Sequence, residues 1–418
     1  MYLQTKRLRQ YQNQNKNKVK KYSIFIILSF LFLDILAQRP KDLYLMGVAK
    51  IISDQPDSAL QYLSAAITRE PDNYQYYLRR GEVSFKTGEF KAAIKDFEAV
   101  NYMESELSDL WIAKCYASLN NDSLAIFYLK KHLQSAYRMP EKSIKTDKAF
   151  NQLQLTDGWF QLWQEEWYTP EEKLEDDINY LVKNDKYLDA LQLIDEKIPA
   201  SENPKPLYRY RAQIESQQGN FKASAMDWTR VINEDRDNLN AYKSRGVAYL
   251  KAEKFKEALD DFSKTLRLDP ADFESYILRA KASRKLKDYS SAVKDVLSYL
   301  QFFPNDEKSL LLCGELYYDN GNYMEALRIF NKNLKMDSSN PEYFKARGKT
   351  YYQTKMYKYA IDDLSMSLDL KPDDGEVYLF KGLARYYSGD RAGACADWKI
   401  GASYGETRAV EQILKYCQ

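Results

Sequence analysis

A fixed 34-residue spacing is the feature of this sequence that most limits its possible folds. Five residues that open successive segments lie 34 positions apart without a gap: Tyr242, Tyr276, Leu310, Phe344 and Tyr378. Pro270 and Pro304 have the same separation. A period of this length is typical of arrays in which each repeat is a small unit that cannot bury its apolar face alone. The sequence therefore predicts a stack of similar units.

Each unit is predicted to be a pair of helices, because apolar residues recur at spacings of three and four in both halves. A small residue stands where the first helix must cross the second: Gly246, Ala280, Gly314, Gly348 and Gly382. Small residues also occur on the second helix: Ala258, Ala292, Ala326, Ala360 and Ala394. A large side chain at either point would push the helix axes apart. Gly321 and Gly389 are expected to supply the turn in two units.

The stretch from Tyr242 to Pro270, with Gly246, Ala258 and Phe262 between them, resembles the tetratricopeptide repeat. Ten such frames cover nearly all of residues 41–402. The resemblance implies an all-α fold, an α-solenoid of about ten helix-turn-helix units in a right-handed superhelix with a C-terminal cap helix. The expected organisation is a signal peptide at 1–37, three units at 38–140, a tryptophan-rich irregular helical linker at 141–170, seven units at 171–402 and the cap at 403–418.

The N-terminus has the layout of a secretory signal peptide. Residues 1–37 hold seven Lys and Arg against one acid, and an apolar run from Tyr22 to Leu33 precedes a cleavage position after Ala37. We expect an exported protein of the periplasm or cell envelope, touching the membrane only through this segment if it stays uncleaved. The alternatives are an uncleaved signal anchor and a cytoplasmic protein with an accidental apolar start. Because the whole chain is +2, residues 38–418 carry −4, which argues against nucleic-acid binding.

The period breaks at the predicted linker, which contains Trp159, Trp163 and Trp167. Their spacing of four would place them along one face of a helix. One interpretation is a core helix that fills a packing gap between two arrays. The other is a patch for a partner, since tryptophan is enriched at interface hot spots.

Catalytic and cofactor motifs are missing from the sequence. His132 is the only histidine, so no histidine-based triad or metal cluster can be assembled, and it is expected to be a surface or satisfied residue. There is no phosphate-binding glycine loop and no paired-cysteine metal motif. We therefore expect no enzymatic activity, no catalytic, cofactor-binding or metal-binding residues and no cofactor.

The four cysteines form two classes. Cys115 and Cys313 lie among apolar neighbours on first helices and are expected to be core residues. Cys395 begins a second helix and Cys417 ends the cap helix, and consecutive helices run antiparallel. We predict a Cys395–Cys417 disulfide, which an exported protein can keep, or alternatively two separate thiols.

A cation and an aspartate 16 residues apart occur together in six frames. The pairs are Arg80 with Asp96, Arg211 with Asp227, Arg245 with Asp261, Arg279 with Asp295, Arg347 with Asp363, and Lys381 with Asp397. In the other four frames both are missing, as in Cys313 with Ile329. This joint presence and absence predicts a structural ion pair within each unit, of small net stability if exposed.

The resemblance implies that stacked first helices line a concave groove that binds a protein or peptide. The groove candidates are Lys243, Leu250, Lys281, Arg284, Tyr318, Lys345, Lys349, Tyr352 and Tyr386. Tyrosines among cations suit an extended, partly acidic peptide, although a solvated face is the alternative. The predicted function is a non-catalytic interaction scaffold exported across the inner membrane. The alternatives are an accessory subunit of a secretion or envelope-assembly machine and a non-catalytic module of an envelope enzyme complex.

Overall fold

The computed structural model describes residues 39–417, without the side chains of Pro170 and Glu171. The predicted signal peptide lies outside the described residues. All regular structure in the described part of the chain is helical, which confirms the all-α prediction. The chain forms two compact units that divide between Lys186 and Tyr187.

The first unit contains three helix pairs, a short irregular region and one further helix. The helices are α1 (Pro40–Ile52), α2 (Pro56–Arg69), α3 (Tyr74–Lys86), α4 (Phe90–Met103), α5 (Asp109–Ser118), α6 (Asp122–Gln134), α7 (Glu141–Lys145), α8 (Asp157–Leu162) and α9 (Pro170–Lys183). Two short 3-10 turns, Lys148–Phe150 and Leu153–Leu155, separate α7 from α8. The third repeat, α5 and α6, therefore precedes the break in the period.

The second unit contains one helix, six helix pairs and a last single helix. They are α10 (Tyr187–Lys197), α11 (Lys205–Gln217), α12 (Phe221–Glu234), α13 (Leu239–Lys251), α14 (Phe255–Leu268), α15 (Phe273–Lys285), α16 (Tyr289–Leu300), α17 (Glu307–Asp319), α18 (Tyr323–Met336), α19 (Pro341–Gln353), α20 (Tyr357–Leu370), α21 (Gly375–Ser388), α22 (Arg391–Ser403) and α23 (Thr407–Tyr416). A 3-10 turn, Ile198–Ala200, follows α10.

Within each unit the two helices of a pair pack on each other, and the second helix of a pair packs on the first helix of the next pair, as in an α-solenoid. The small residues permit this approach. A Cβ atom on Gly246 would lie 2.8 Å from the Phe262 ring of the facing helix, so a larger residue would force the two helices apart. The alanines predicted at the crossing on the second helices, such as Ala258 and Ala292, are fully buried.

The repeat period also fixes where first helices begin and where their turns occur. An Asn or Asp at the N-cap accepts a backbone N–H at 34-residue intervals: Asn238, Asp272, Asp306, Asn340 and Asp374. Such caps satisfy donors that the helix start leaves free. The turn to the second helix takes a left-handed residue at the same interval: Glu253, Lys287, Gly321, Lys355 and Gly389. The two predicted glycines fit this conformation without strain, whereas each of the other three side chains costs about 1 kcal/mol.

The tryptophan linker differs from its prediction in two respects. Helix α8 ends at Leu162, so Trp163 is its C-cap and Trp167 lies beyond it, and the three rings do not share one helical face. The Trp167 Nε1–H donates to the Leu162 carbonyl at 2.7 Å, which satisfies an acceptor at the helix end. In addition, the linker is part of the first unit, and so is α9, because the ion pairs Arg138–Glu172 and Lys142–Asp176 join α9 to it.

In residues 39–417 we find no helix with both the length and the apolar character needed to cross a bilayer.

Candidate functional site

The structure brings together all six cation–aspartate pairs. The shortest nitrogen–oxygen distances are 2.6 Å for Arg80–Asp96, 2.6 Å for Arg211–Asp227, 2.7 Å for Arg245–Asp261, 2.6 Å for Arg279–Asp295, 2.6 Å for Arg347–Asp363 and 3.3 Å for Lys381–Asp397. The five arginines each make two hydrogen bonds to the carboxylate, for example Nε and Nη2 of Arg245 to Asp261. The pairs join the first and second helices of a repeat.

The aspartates of these pairs are buried, so the small net stability of exposed pairs does not apply to them. The six carboxylates are between 2 and 7% exposed. Burial raises the pKa of Asp261 above its ordinary value, and the Arg245 guanidinium works against this rise. Removing one partner from a buried pair costs roughly 3–5 kcal/mol, because the other charge is left without compensation. A cation and its aspartate can therefore be lost only together, as in Cys313 and Ile329, which are both buried.

Each of the five arginines also contacts the preceding repeat, a contact that the sequence analysis missed. The Nη1 atom hydrogen-bonds to a side-chain oxygen 16 residues earlier on the previous second helix: Ser64, Asp195, Thr229, Ser263 or Asn331. The arginine thus joins three helices. The sequence could have indicated this contact, because a side chain with an oxygen atom lies 16 residues before every paired arginine.

Four of the nine groove candidates line one cavity. Arg284, Tyr318, Lys345 and Lys349 contribute to a space of about 190 Å³ bounded by first helices α15, α17, α19 and α21 and by Phe330 of second helix α18. The other residues that line it are Glu315, Asp319, Phe330, Glu342, Ala346 and Glu376. We call this space the groove cavity. Its wall contains three cations and four carboxylates, so it presents charges of both signs.

The cations of the groove cavity are already paired. Arg284 contacts Glu315 at 2.7 Å and Asp319 at 2.8 Å, and Lys345 contacts Glu376 at 2.9 Å. Lys349 contacts the other oxygen of Glu376 at 2.8 Å. An acidic peptide would therefore compete with these carboxylates for the cations of the cavity.

These contacts shift the pKa values of two residues that line the groove cavity or pair with its wall. Burial alone would raise the pKa of Glu376, but hydrogen bonds from Lys349 and Lys345 outweigh it and lower the pKa to about 2. Burial would lower the pKa of Lys345, and its bonds to Glu376 and Asp374 raise it above the ordinary value instead. The ion pairs of the groove thus stay ionised across the neutral range.

A spacing of 31 residues connects these partners along the chain. It separates Arg284 from Glu315 and Lys345 from Glu376. It also separates Lys243 from Glu274, whose carboxylate lies 2.8 Å from the lysine, outside the groove cavity. This spacing is visible in the sequence, but it pairs residues of different repeats. A comparison of positions within one repeat therefore does not reveal it.

The remaining groove candidates lie elsewhere. Leu250 is partly buried against the core around Ala258 and Phe262 and does not line the groove cavity. Lys281 is exposed. Tyr352 lies 5.6 Å from the Phe380 ring, and Tyr386 lies 4.4 Å from the Tyr416 ring on α23, as parts of an aromatic cluster at the end of the second unit.

The tryptophans of the linker are core residues. Trp159 is 6% exposed, and Trp163 and Trp167 are partly buried against the same cluster. This cluster also includes Phe150 of the linker and Leu133 of the third repeat. The core interpretation of these three side chains is therefore favoured over a partner patch.

The four cysteines and the histidine also have defined surroundings. The Cys395 and Cys417 sulfurs form a disulfide, while Cys115 and Cys313 are buried free thiols. His132 is buried rather than on the surface, and its Nε2 accepts the Met139 backbone N–H at 3.0 Å. Burial, with Lys114 and Arg138 nearby, lowers the pKa of His132 to about 4, so the ring is neutral. Among residues 39–417 no group of three metal-ligating side chains occurs.

Comparisons with known proteins agree with this geometry. The family pattern described as tetratricopeptide repeat matches residues 44–105, 239–272 and 312–375. No curated protein sequence matches the chain. The matched segments are tetratricopeptide repeats, and repeats of this family suggest a protein-interaction scaffold.

Several solved structures are similar to this chain. A tetratricopeptide repeat protein from Parabacteroides merdae is 20% identical, with a TM-score of 0.47, over 59% of this chain and 97% of that one. The C-terminal part of a repeat-containing protein from Cytophaga hutchinsonii is 16% identical, with a TM-score of 0.48, over 56% and 98%. YrrB, described as having an unusual peptide-binding site, is 14% identical, with a TM-score of 0.38, over 45% and 97%.

Proposed function

We propose that this protein is an exported, non-catalytic scaffold that binds a segment of another protein in the groove cavity of its second unit. The observation that supports this most is the wall of that cavity, where four first helices contribute three cations, four carboxylates and Tyr318. A wall of this kind offers directional hydrogen bonds and an aromatic surface, which is typical of peptide recognition.

The charges of the cavity favour a partner segment that carries both signs. Because Arg284, Lys345 and Lys349 are paired with carboxylates, an acidic ligand would have to displace Glu315 or Glu376. A segment with an acid and a base a few residues apart could instead exchange partners with these pairs. Such an exchange leaves no buried charge unpaired, which limits the cost of desolvation.

Two observations support export. The first is the signal-peptide layout of residues 1–37. The second is the Cys395–Cys417 disulfide, because such bonds persist in oxidising compartments and are rare in the cytosol. Deletion of residues 1–37 should leave the chain in the cytoplasm, with both thiols open to alkylation. An unchanged location and an intact disulfide in that deletion would contradict export.

Site-specific photocrosslinking tests the groove. A benzophenone amino acid in place of Tyr318 is expected to give a discrete crosslinked partner in intact cells. The matched control places it at Tyr359, an exposed tyrosine on second helix α20 that does not line the cavity. Crosslinking from position 359 with none from position 318 would show that the partner binds outside the groove cavity.

A further inference from the structure

One position of the repeat, which holds a large apolar residue in most copies, holds a small residue in a single copy inside the array. The residue after the crossing position on the second helix is branched and apolar in eight frames: Leu60, Ile94, Ile126, Leu191, Leu259, Val293, Leu327 and Ile361. The last frame has Cys395, which is disulfide-bonded. In the fifth repeat, α11 and α12, the position is Ala225. A side chain that fills space elsewhere is therefore missing here.

A cavity of about 450 Å³ lies at this alanine, which we call the Ala225 cavity. It is formed by α12 and the C-terminal end of α13, and its apolar wall comes from Ala225, Met226, Tyr249 and Ala252. Met226 is 61% exposed and adds an accessible apolar side chain to this wall. The volume is within the range of ordinary ligand sites.

The rim of the Ala225 cavity is basic. Lys222, Arg230 and Lys254 line it, and among the described residues its lining includes no carboxylate. Arg230 contacts Asp227, which already pairs with Arg211, so one carboxylate serves two guanidiniums. Lys254 Nζ lies 5.6 Å from the centre of the Tyr249 ring. The rim therefore keeps a net positive charge, unlike the groove cavity.

Lys254 places a positive charge at the start of a helix. It is the N-cap of α14 and makes no side-chain capping bond, as is also true of Glu89, Asn220, Asn322 and Met356 at the equivalent position, whereas Asp288 and Asp390 accept backbone N–H groups there. A cation at a helix N-terminus is unfavourable because the dipole there is positive. Residues that are unfavourable for local structure are expected mainly at functional sites, and Lys254 lies at the rim of this cavity.

We propose that the Ala225 cavity binds an acidic peptide segment through one large apolar side chain. A leucine-sized side chain would fill the space that Leu259 or Ile361 fills in other repeats, and flanking carboxylates would reach Lys222, Lys254 and Arg230. This surface is separate from the groove cavity, and the two sites can be tested independently. The occupant is identified by size, from the missing residue, and by charge, from the basic rim.

The test uses the full chain and the peptide acetyl-Glu-Asp-Leu-Asp-Glu-amide in isothermal titration calorimetry. Ala225→Leu restores the residue type of eight other frames and should weaken binding at least tenfold, since it occupies the place of the peptide leucine. Lys254→Asp should weaken binding severalfold, with a larger effect at low salt. The peptide with alanine for leucine should bind at least tenfold more weakly to the unmodified protein.

Both substitutions are chosen so that loss of fold cannot imitate loss of binding. Ala225→Leu fills a cavity and Lys254→Asp restores a cap, so both should keep or raise the thermal midpoint. A lowered midpoint for Ala225→Leu would show that the space is not open and would overturn the proposal. The proposal would also be overturned if the unmodified protein and Ala225→Leu bound the peptide with equal affinity, or if no binding occurred at about 1 mM peptide. Preference for a leucine peptide flanked by lysines would overturn it as well. So would binding of laurate with no binding of the peptide.

Discussion

The third repeat and the last repeat both end a regular stack, and the molecule covers their exposed faces in different ways. After α6, the irregular residues 141–168 bring Ile144, Phe150, Leu153 and Trp159 into one buried cluster with Leu133. After α22, the single ten-residue helix α23 covers the repeat, and a disulfide ties its end to Cys395. The first cover is held by packing and by ion pairs such as Lys114–Asp147, whereas the second has a covalent tie.

The difference follows from the apolar area that each cover can bury. The linker contributes several large side chains that are at most 6% exposed, enough to fix a segment with little regular structure. In α23 the one fully buried residue is Ala409, and helices of this length are marginal by themselves. A repeat stack is open at its ends, so a cover with a small core needs another source of stability.

Removing the largest buried ring of the linker should have the largest effect. Trp159 lies 5.8 Å from Phe150 and 5.6 Å from Trp163, measured between ring centres. Trp159→Ala is expected to destabilise the third repeat by about 3–5 kcal/mol, because it leaves a cavity in this cluster. Hydrogen exchange of the full chain should show lost protection in α5 and α6.

The neighbouring Phe160 is a matched control, because it is 60% exposed. Phe160→Ala should leave exchange in α5 and α6 nearly unchanged. Equal effects of the two alanine substitutions would mean that the linker does not hold the third repeat through its buried side.

Breaking the disulfide should affect the other cover somewhat less. The bond closes a span of 22 residues, for which the loss of unfolded-state entropy corresponds to about 3 kcal/mol. Reduction, or Cys417→Ser, should make α23 fray and open the bonds after Arg408 and Lys415 to trypsin. The linker region should be insensitive to reductant. Equal trypsin resistance of reduced and oxidised protein would show that packing alone holds α23.

Acid should distinguish the two ends, because the only histidine of the chain lies in the third repeat. The pKa of His132 is about 4 in the folded protein, below the ordinary value near 6.5. Between these values the unfolded chain binds a proton that the folded chain does not, so stability falls as pH falls. The drop should be about 2 kcal/mol for α5 and α6 between pH 6.5 and about pH 5.

His132→Gln provides the control, since its amide oxygen can accept the Met139 N–H without titrating. This variant should have a flat profile in the same window, and so should α21 and α22 in the unmodified protein. A decline that survives in the glutamine variant would assign the acid sensitivity to carboxylates instead.

The regular parts of the fold could be predicted because the period repeats each constraint. Gly246 and Ala258 identify a helix crossing only when set beside their counterparts, and Arg245 with Asp261 identifies an ion pair because other frames lose both residues together. Ten copies in one chain act as an internal comparison. The all-helical solenoid and these intra-repeat contacts follow from that comparison.

Features that do not repeat, or that join different repeats, could not be predicted in this way. Trp163 has helical spacing from Trp159, but the helix ends between them because the Trp167 indole binds the Leu162 carbonyl. The pairing of Lys345 with Glu376 depends on how one repeat is displaced from the next, which the period of a single unit does not contain. The sequence therefore identifies cations in the groove but not the carboxylates that pair with them.

The smallest effects should separate two tryptophans of the linker that look alike in sequence. Trp167 Nε1 donates to Leu162, whereas the buried Trp163 Nε1 has no hydrogen-bond partner among residues 39–417. Trp167→Phe should destabilise the third repeat by about 1 kcal/mol, because a carbonyl at the end of α8 loses its donor. Trp163→Phe removes an unsatisfied donor and keeps a ring beneath Lys145, whose Nζ lies 4.4 Å from the ring centre, so its cost should be smaller. Hydrogen exchange in α6 and α8 measures both, and equal losses would show that ring area rather than the Leu162 bond fixes this cover.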